Sequence, residues 1–119
     1  MLKNNLIEKD LSKVNSLIKN NIIEEETISN LYEYIFKTNG KQLRAQLCLI
    51  SSSIDKRIGK RRLKLAAVIE LLHTATLVHD DVVDDSPVRR GIKSVNNIWS
   101  NAHGVLIGDY IYSKAFMLM

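Results

Sequence analysis

Little in this sequence can cross-link or break a chain. Of its 119 residues one is cysteine, one is proline and five are glycine. A single thiol closes no internal disulfide, which excludes a disulfide-stapled scaffold and favours a reducing compartment. Cys48 lies in the apolar run Leu47-Cys48-Leu49-Ile50 and reads as a buried, inert core thiol. Scarce proline and glycine argue against a sandwich or barrel, which need frequent turns, and for an all-α protein. Aromatic residues make up 6% and none interleave with the basic clusters, so the stacking surface of a single-strand nucleic-acid binder is missing. No apolar run reaches the ~20 residues that span a bilayer. The amino end, with Lys3, Glu8, Lys9 and Asp10, has no signal-peptide core. A cytoplasmic location without an integral membrane segment is the expectation.

What is present is a 45% apolar content, enough for a packed core, and a net charge of +4. Such an excess suits nucleic acid, a membrane surface or a phosphorylated substrate. Six of the nine residues from Lys56 to Lys64 are basic, and they read as a solvated loop entering a helix. Apolar residues recur at helical spacing over about 5–19 (Leu6, Ile7, Leu11, Val14, Leu17, Ile18) and about 24–37 (Ile28, Leu31, Tyr32, Ile35, Phe36). Thr38-Asn39-Gly40 closes the second segment, and a third helix is expected over about 41–54. After a polar break at Asp55 to Gly59, a long helix follows over about 60–84, buried on most sides, and Ser86-Pro87 ends it. A short helix near 94–101 and a last one over about 105–119 complete the reading, as one incomplete domain over residues 1–119. The apolar finish Met117-Leu118-Met119, without cap or polar tail, reads as a chain cut short.

The strongest chemical signal is His79-Asp80-Asp81-Val82-Val83-Asp84-Asp85 at the carboxyl end of the long helix. Local physics disfavours it. Asp is a poor helix former, like charges at i and i+4 repel, and the helix dipole puts partial negative charge at this same end, costing roughly 0.3–1 kcal/mol per group. Something positive should resolve the conflict. Asp80 and Asp84 point the same way, one turn apart, with Asp81 beside them. Oxygen-only donors at that spacing suit Mg²⁺, and the lack of soft ligands weighs against zinc. His73 falls seven residues earlier on nearly the same stripe. Arg89 and Arg90 follow within one loop, either gripping a polyanion or neutralising the aspartates directly. Upstream, Gly40-Lys41-Gln42-Leu43-Arg44 opens the third helix, where a helix amino end favours anions and Lys41 and Arg44 share a face.

As an ordered set these segments resemble the trans-prenyl diphosphate synthases. His73 to Asp85, followed by Arg89-Arg90-Gly91, is similar to that family's first aspartate-rich motif and its trailing arginines. Gly40-Lys41-Gln42-Leu43-Arg44 is similar to the GKxxRP element, with Ala45 in place of the usual proline, and Gly108-Asp109-Tyr110 fits the stretch that follows. The resemblance covers most of residues 30 to 119 and leans toward the long-chain members. It implies the amino-terminal part of an isoprenoid-synthase helical bundle, Mg²⁺ as cofactor, and a homodimer when full length. It also implies roles. Asp80 and Asp84 would bind Mg²⁺ bridging an allylic diphosphate, with Asp81 supporting them and Arg89 on that diphosphate. Lys41, Arg44, His73 and Arg90 would hold isopentenyl diphosphate. Ala75 and Thr76, five and four positions before the first aspartate, would set chain length, and since neither is aromatic a product longer than fifteen carbons is expected.

The family's second aspartate-rich motif is missing from these residues, so the 119-residue chain alone is expected to be catalytically inactive, binding Mg²⁺ and diphosphate weakly at best. Two other classes stay open. One is a non-catalytic truncated subunit that docks on a full-length synthase. The other is a metal-dependent phosphohydrolase built from His79-Asp80 with His73 and His103, which would need transition-metal chemistry.

Overall fold

The computed structural model describes residues 5–37, 40–54 and 59–119. Its elements in chain order are α1 (Asn5–Lys19), α2 (Glu26–Lys37), α3 (Leu43–Ser52), α4 (Arg61–Val83), β1 (Val88–Arg89), β2 (Ile92–Lys93), α5 (Val95–Ile98) and α6 (Asn101–Leu118). The all-α expectation holds, with one short hairpin added. Thr38 and Asn39, expected to close α2, lie outside the described residues, as do residues 55–58 of the polar break and, with them, Lys56 and Arg57.

The 23-residue α4 is the central element, packed against α6, α3 and α1. Its buried face (Leu63, Ala66, Ala67, Leu71, Ala75, Val78) meets Val14 and Ile18 of α1, Leu49 of α3, and Ile107 and Ile111 of α6 in one core. Each large aliphatic side chain taken fully out of water contributes about 1.5–3 kcal/mol, and this core is the main cohesive term. One strip of α4 is wet, with Leu65, Thr76 and Asp80 exposed, while most of its residues are buried or half-buried, as the nearly continuous apolar run predicts. Cys48 is half-buried rather than fully so, and burial raises its thiol above the ordinary value, which keeps it protonated.

Helices α4 and α6 approach closely because α6 presents glycine at the crossing. A Cβ on Gly104 would stand 2.6 Å from Val82 Cγ2, so no larger residue fits without displacement. Polar ties fix the other helices. Arg62 donates to Asp10, joining α4 to α1. The Lys114 ammonium, buried under α6, donates to the Asn20 carbonyl just past the end of α1, where the helix dipole favours a cation. Tyr110 Oη accepts from the Ile23 amide at 3.0 Å, holding the turn before α2.

Three boundaries differ from the sequence expectation. Helix α3 begins at Leu43, because Gln42 takes a left-handed conformation (φ 54°) and its side chain donates to Asn15 Oδ1 at 2.7 Å. Lys41 therefore precedes the helix and shares no helical face with Arg44. The segment after α4 is a hairpin, not an open loop. Arg90 and Gly91 both have positive φ, as a primed tight turn requires, and Val88 pairs with Lys93. Helix α6 starts at Asn101, four residues earlier than expected, with Ser100 as its cap accepting the His103 amide.

Candidate functional site

The end of α4 forms a Schellman arrangement. Asp85 takes the left-handed conformation (φ 52°), its amide donates to the Val82 carbonyl at 3.3 Å, and the Ser86 amide donates to the Asp81 carbonyl at 2.9 Å. Aspartate tolerates this backbone better than most residues, so the chain stops here without glycine. The carbonyls of Ser86 and Pro87 then accept from Ser94 and Asn96 and from Ser94 and Asn97 respectively, folding the hairpin back beside α4. Tyr34 of α2 donates to the Lys93 carbonyl at 2.6 Å and holds the hairpin from its far side.

That fold-back separates the three aspartates. Asp81 is 4% exposed and accepts two bonds from Arg89, Nε and Nη2 each at 2.8 Å from a different carboxylate oxygen. The bidentate bond to Asp81 holds the Arg89 guanidinium above its ordinary value; partial burial opposes this, and Asp80 and Asp84 add to it. Asp80 and Asp84 are exposed, Asp80 on the last turn of α4 and Asp84 as its cap. The clash of like charges and helix dipole is thus met at Asp81 by an arginine, while two carboxylates one turn apart stay open to solvent.

Cationic side chains meet between α3 and α4. Arg44 Nη1 is 3.2 Å from His73 Nε2. Burial, followed by the charge of Arg44, pushes the His73 imidazole below its ordinary value; Glu70 offsets part of this, and Arg90 and Arg89 deepen it. Arg89 and Arg90 of the hairpin lie within electrostatic reach of the Arg44–His73 pair. Gly40 makes room for one of them, since a Cβ there would come within 2.7 Å of the Arg90 guanidinium carbon. A cleft is lined by Gly40, Glu70, Asp81, Arg89 and Arg90, with Leu77 and Val78 as apolar wall. Lys41 is exposed on the turn before α3, and its carbonyl accepts from Gln46 at 2.6 Å.

The residues named for chain length separate as well. Ala75 is fully buried in the core between helices. Thr76 is exposed and its hydroxyl lies 2.9 Å from the Tyr112 hydroxyl of α6. The histidines do not gather. His103 Nδ1 bonds the Ser100 hydroxyl at 2.7 Å, and His79 Nε2 bonds the Val105 carbonyl at 3.1 Å. His73, His79, Asp80 and His103 form no metal cage such as the phosphohydrolase reading needs. Among the described residues no three of His, Cys, Asp and Glu converge as a cage for a metal ion. Asp80 and Asp84 do fit a hard cation that arrives with a phosphate ligand, because Mg²⁺ is held through one or two carboxylates and fills its remaining positions with phosphate and water.

One residue escaped the sequence reading. Glu70 is 8% exposed, lines the cleft, and accepts the Ala45 amide of the first turn of α3 at 3.2 Å. An acidic residue in the middle of an otherwise apolar run was the only available signal.

A family model described as polyprenyl synthetase matches residues 25–119. The octaprenyl diphosphate synthase of Escherichia coli is 38% identical over 117 residues, 98% of this chain and 36% of that protein. Two crystal structures share the architecture. A decaprenyl diphosphate synthase from Rhodobacter capsulatus superposes with a TM-score of 0.88 at 38% identity, covering 96% of this chain and 36% of that one. A polyprenyl synthase from Caulobacter crescentus, solved with calcium and isoprenyl diphosphate, gives 0.88 at 39% identity, covering 96% and 35%. The chain spans little more than a third of the length of these relatives.

Proposed function

The chain belongs to the polyprenyl synthetase family, and from that premise we propose that it supplies the first metal and diphosphate half-site of a Mg²⁺-dependent synthase of long all-trans polyprenyl diphosphates. The observation that carries this is the split of the aspartates: Asp81 is satisfied by Arg89, Asp80 and Asp84 are left open, and Arg89 and Arg90 lie within electrostatic reach of an Arg44–His73 pair. The Caulobacter relative, solved with a divalent cation and an isoprenyl diphosphate, is the kind of complex this arrangement fits.

In the proposed reaction Asp80 and Asp84 hold Mg²⁺, and Arg89 faces the allylic diphosphate. The metal, when bound, neutralises charge on the departing diphosphate. Arg44, His73 and Arg90, with Lys41 reaching from the preceding turn, hold isopentenyl diphosphate so that its alkene meets the allylic carbon as the C–O bond breaks. Proton loss then leaves an allylic diphosphate five carbons longer. No side-chain nucleophile takes part; the residues orient two anions and stabilise the charge that leaves. A neutral His73 adds a hydrogen bond without adding to the repulsion among the arginines, and a bound anion would shift its titration upward.

Because neither Ala75 nor Thr76 is aromatic, a complete synthase carrying these residues is expected to make products above fifteen carbons. Chain-extension assays with radiolabelled isopentenyl diphosphate test this. A farnesyl-only product overturns the open-floor argument, and undiminished turnover in Asp80→Ala overturns the site. The 119 residues alone are expected to bind diphosphate weakly and turn nothing over.

A second reading, a non-catalytic subunit that associates with a complete synthase, is favoured by one observation. Along α6, Val105, Leu106, Phe116 (65% exposed) and Met117 (86% exposed) are bare apolar side chains. Mixing the chain with a complete synthase and following both mass and turnover separates the two readings.

A further inference from the structure

The amino end of α3 carries the amide groups that a helix leaves without intrahelical partners, and Gln42 at its cap position makes no capping bond from its side chain. Such an end commonly takes an anion. Here one of those amides is already taken: Glu70, from the middle of α4, reaches across and accepts the Ala45 amide at 3.2 Å while almost completely buried. One residue before Ala45 is Arg44, whose guanidinium meets His73, three positions after Glu70 on α4.

Glu70 and Asp81 are 11 residues apart, about three full turns at roughly 100° per residue, so both carboxylates leave α4 along one stripe and both line the same cleft. Each accepts from a different neighbour. Asp81 takes the Arg89 guanidinium of the hairpin; Glu70 takes the amino end of α3. The charged groups that face His73 are Arg44 from α3, Glu70 from α4, and Arg89 and Arg90 from the hairpin.

We propose that Glu70 is a positioning residue for diphosphate: its buried carboxylate closes the amino end of α3 and thereby sets the Arg44 guanidinium against His73, as Asp81 sets Arg89 three turns further along the same stripe. Diphosphate is then gripped by side chains, with a buried carboxylate already bonded to the Ala45 amide at the helix end. This deepens the diphosphate reading above and rests on it.

The test uses the 119-residue chain, inorganic pyrophosphate with Mg²⁺ as probe, and two variants followed by NMR. Glu70→Gln keeps an oxygen for the Ala45 amide and removes a negative charge from beside the arginines. It should keep the nuclear Overhauser contacts between the Arg44 side chain and the His73 ring, and bind pyrophosphate at least as tightly as the unaltered chain. Glu70→Ala removes the oxygen as well. It should lose those contacts and bind about threefold or more weakly, the scale expected when a buried acceptor at a helix end is deleted. Equal affinity in the two variants, or Arg44–His73 contacts that persist in Glu70→Ala, overturns the proposal. Where the chain takes up no pyrophosphate, the Arg44–His73 contacts decide the positioning role of Glu70 on their own, and the diphosphate reading is refuted if a complete synthase carrying these residues takes up none either.

Discussion

Replacing Arg89 by glutamine should destabilise the fold more than replacing Asp81 by asparagine, although the two residues share one ion pair. The Asp81 side chain is 6% exposed and that of Arg89 36%. Orphaning a fully buried charge costs about 3–5 kcal/mol, whereas exposed pairs are worth about 0–1 kcal/mol. In Asp81→Asn the guanidinium left behind is one-third in water and can turn outward, and the amide retains one acceptor, so the loss should be about 1–2 kcal/mol. In Arg89→Gln the carboxylate left behind has no such exit, and the loss should be about 2–3 kcal/mol. For a chain of this length each kcal/mol moves the melting temperature by about 4 °C, giving roughly 4–8 °C and 8–12 °C. The double variant should recover about 1 kcal/mol relative to the sum, because each partner's absence removes the other's penalty. Urea unfolding followed by far-UV circular dichroism measures all four proteins. A coupling below about 0.5 kcal/mol, or Asp81→Asn proving the costlier change, refutes the view that the hairpin is clamped to α4 by a desolvated pair.

Three further outcomes follow from the same geometry. Gly104→Ala gains about 1 kcal/mol of helix propensity but drives a Cβ to 2.6 Å from the branched Val82 side chain, so unfolding should show a net loss of about 1–2 kcal/mol and α4 should shift at its carboxyl end; a stabilised variant contradicts the close approach of α4 and α6. Gly40→Ala meets only the tip of the long Arg90 side chain, so stability should change by less than about 0.5 kcal/mol while pyrophosphate affinity falls; unchanged affinity would detach Arg90 from the site. His73 titrates below 6.5 in the folded chain, so between 6.5 and that lower value the unfolded chain carries a proton that the folded one lacks; stability from this group is complete above 6.5 and declines as pH falls through that window. His73→Gln should flatten this part of the stability profile, and ring titration by NMR should show the imidazole moving upward when pyrophosphate binds.

The helices most visible in the sequence are those whose apolar spacing is not interrupted. α1, α2 and α4 lie within two residues of the expected bounds, because periodicity reports burial directly. Boundaries set by tertiary partners were not visible. Gln42 enters the left-handed region, uncommon outside glycine, asparagine and aspartate, and only its bond to Asn15 in another helix accounts for it. The hairpin turns on Arg90-Gly91 rather than on an asparagine or aspartate followed by glycine, and its strands are two residues long, too short to alternate visibly. The start of α6 was legible in principle, since Ser100 is a preferred cap residue, but Gly104 in the first turns obscures the helical pattern.

The structure bears on how the named residues connect. Asp80, Asp81, Asp84, Arg89 and Arg90 stand out in the sequence as an acidic helix end followed by arginines, with His73 on nearly the same stripe. That Arg89 belongs to Asp81, and that Arg44 meets His73 across helices, are facts of packing that no local pattern encodes. Lys41 was expected on a shared face with Arg44 and instead precedes the helix. Glu70 gives only a weak signal, because one acid in an apolar run looks like a solvated position until the amino end of α3 is found against it.

The split among the three aspartates is tested most directly by titrating an allylic diphosphate into a complete synthase carrying these residues, with and without Mg²⁺, by calorimetry. Uptake should require Mg²⁺ and be lost in Asp80→Ala and in Asp84→Ala, two solvent-facing carboxylates one turn apart. Uptake that is indifferent to Mg²⁺, or that survives both substitutions, contradicts the assignment.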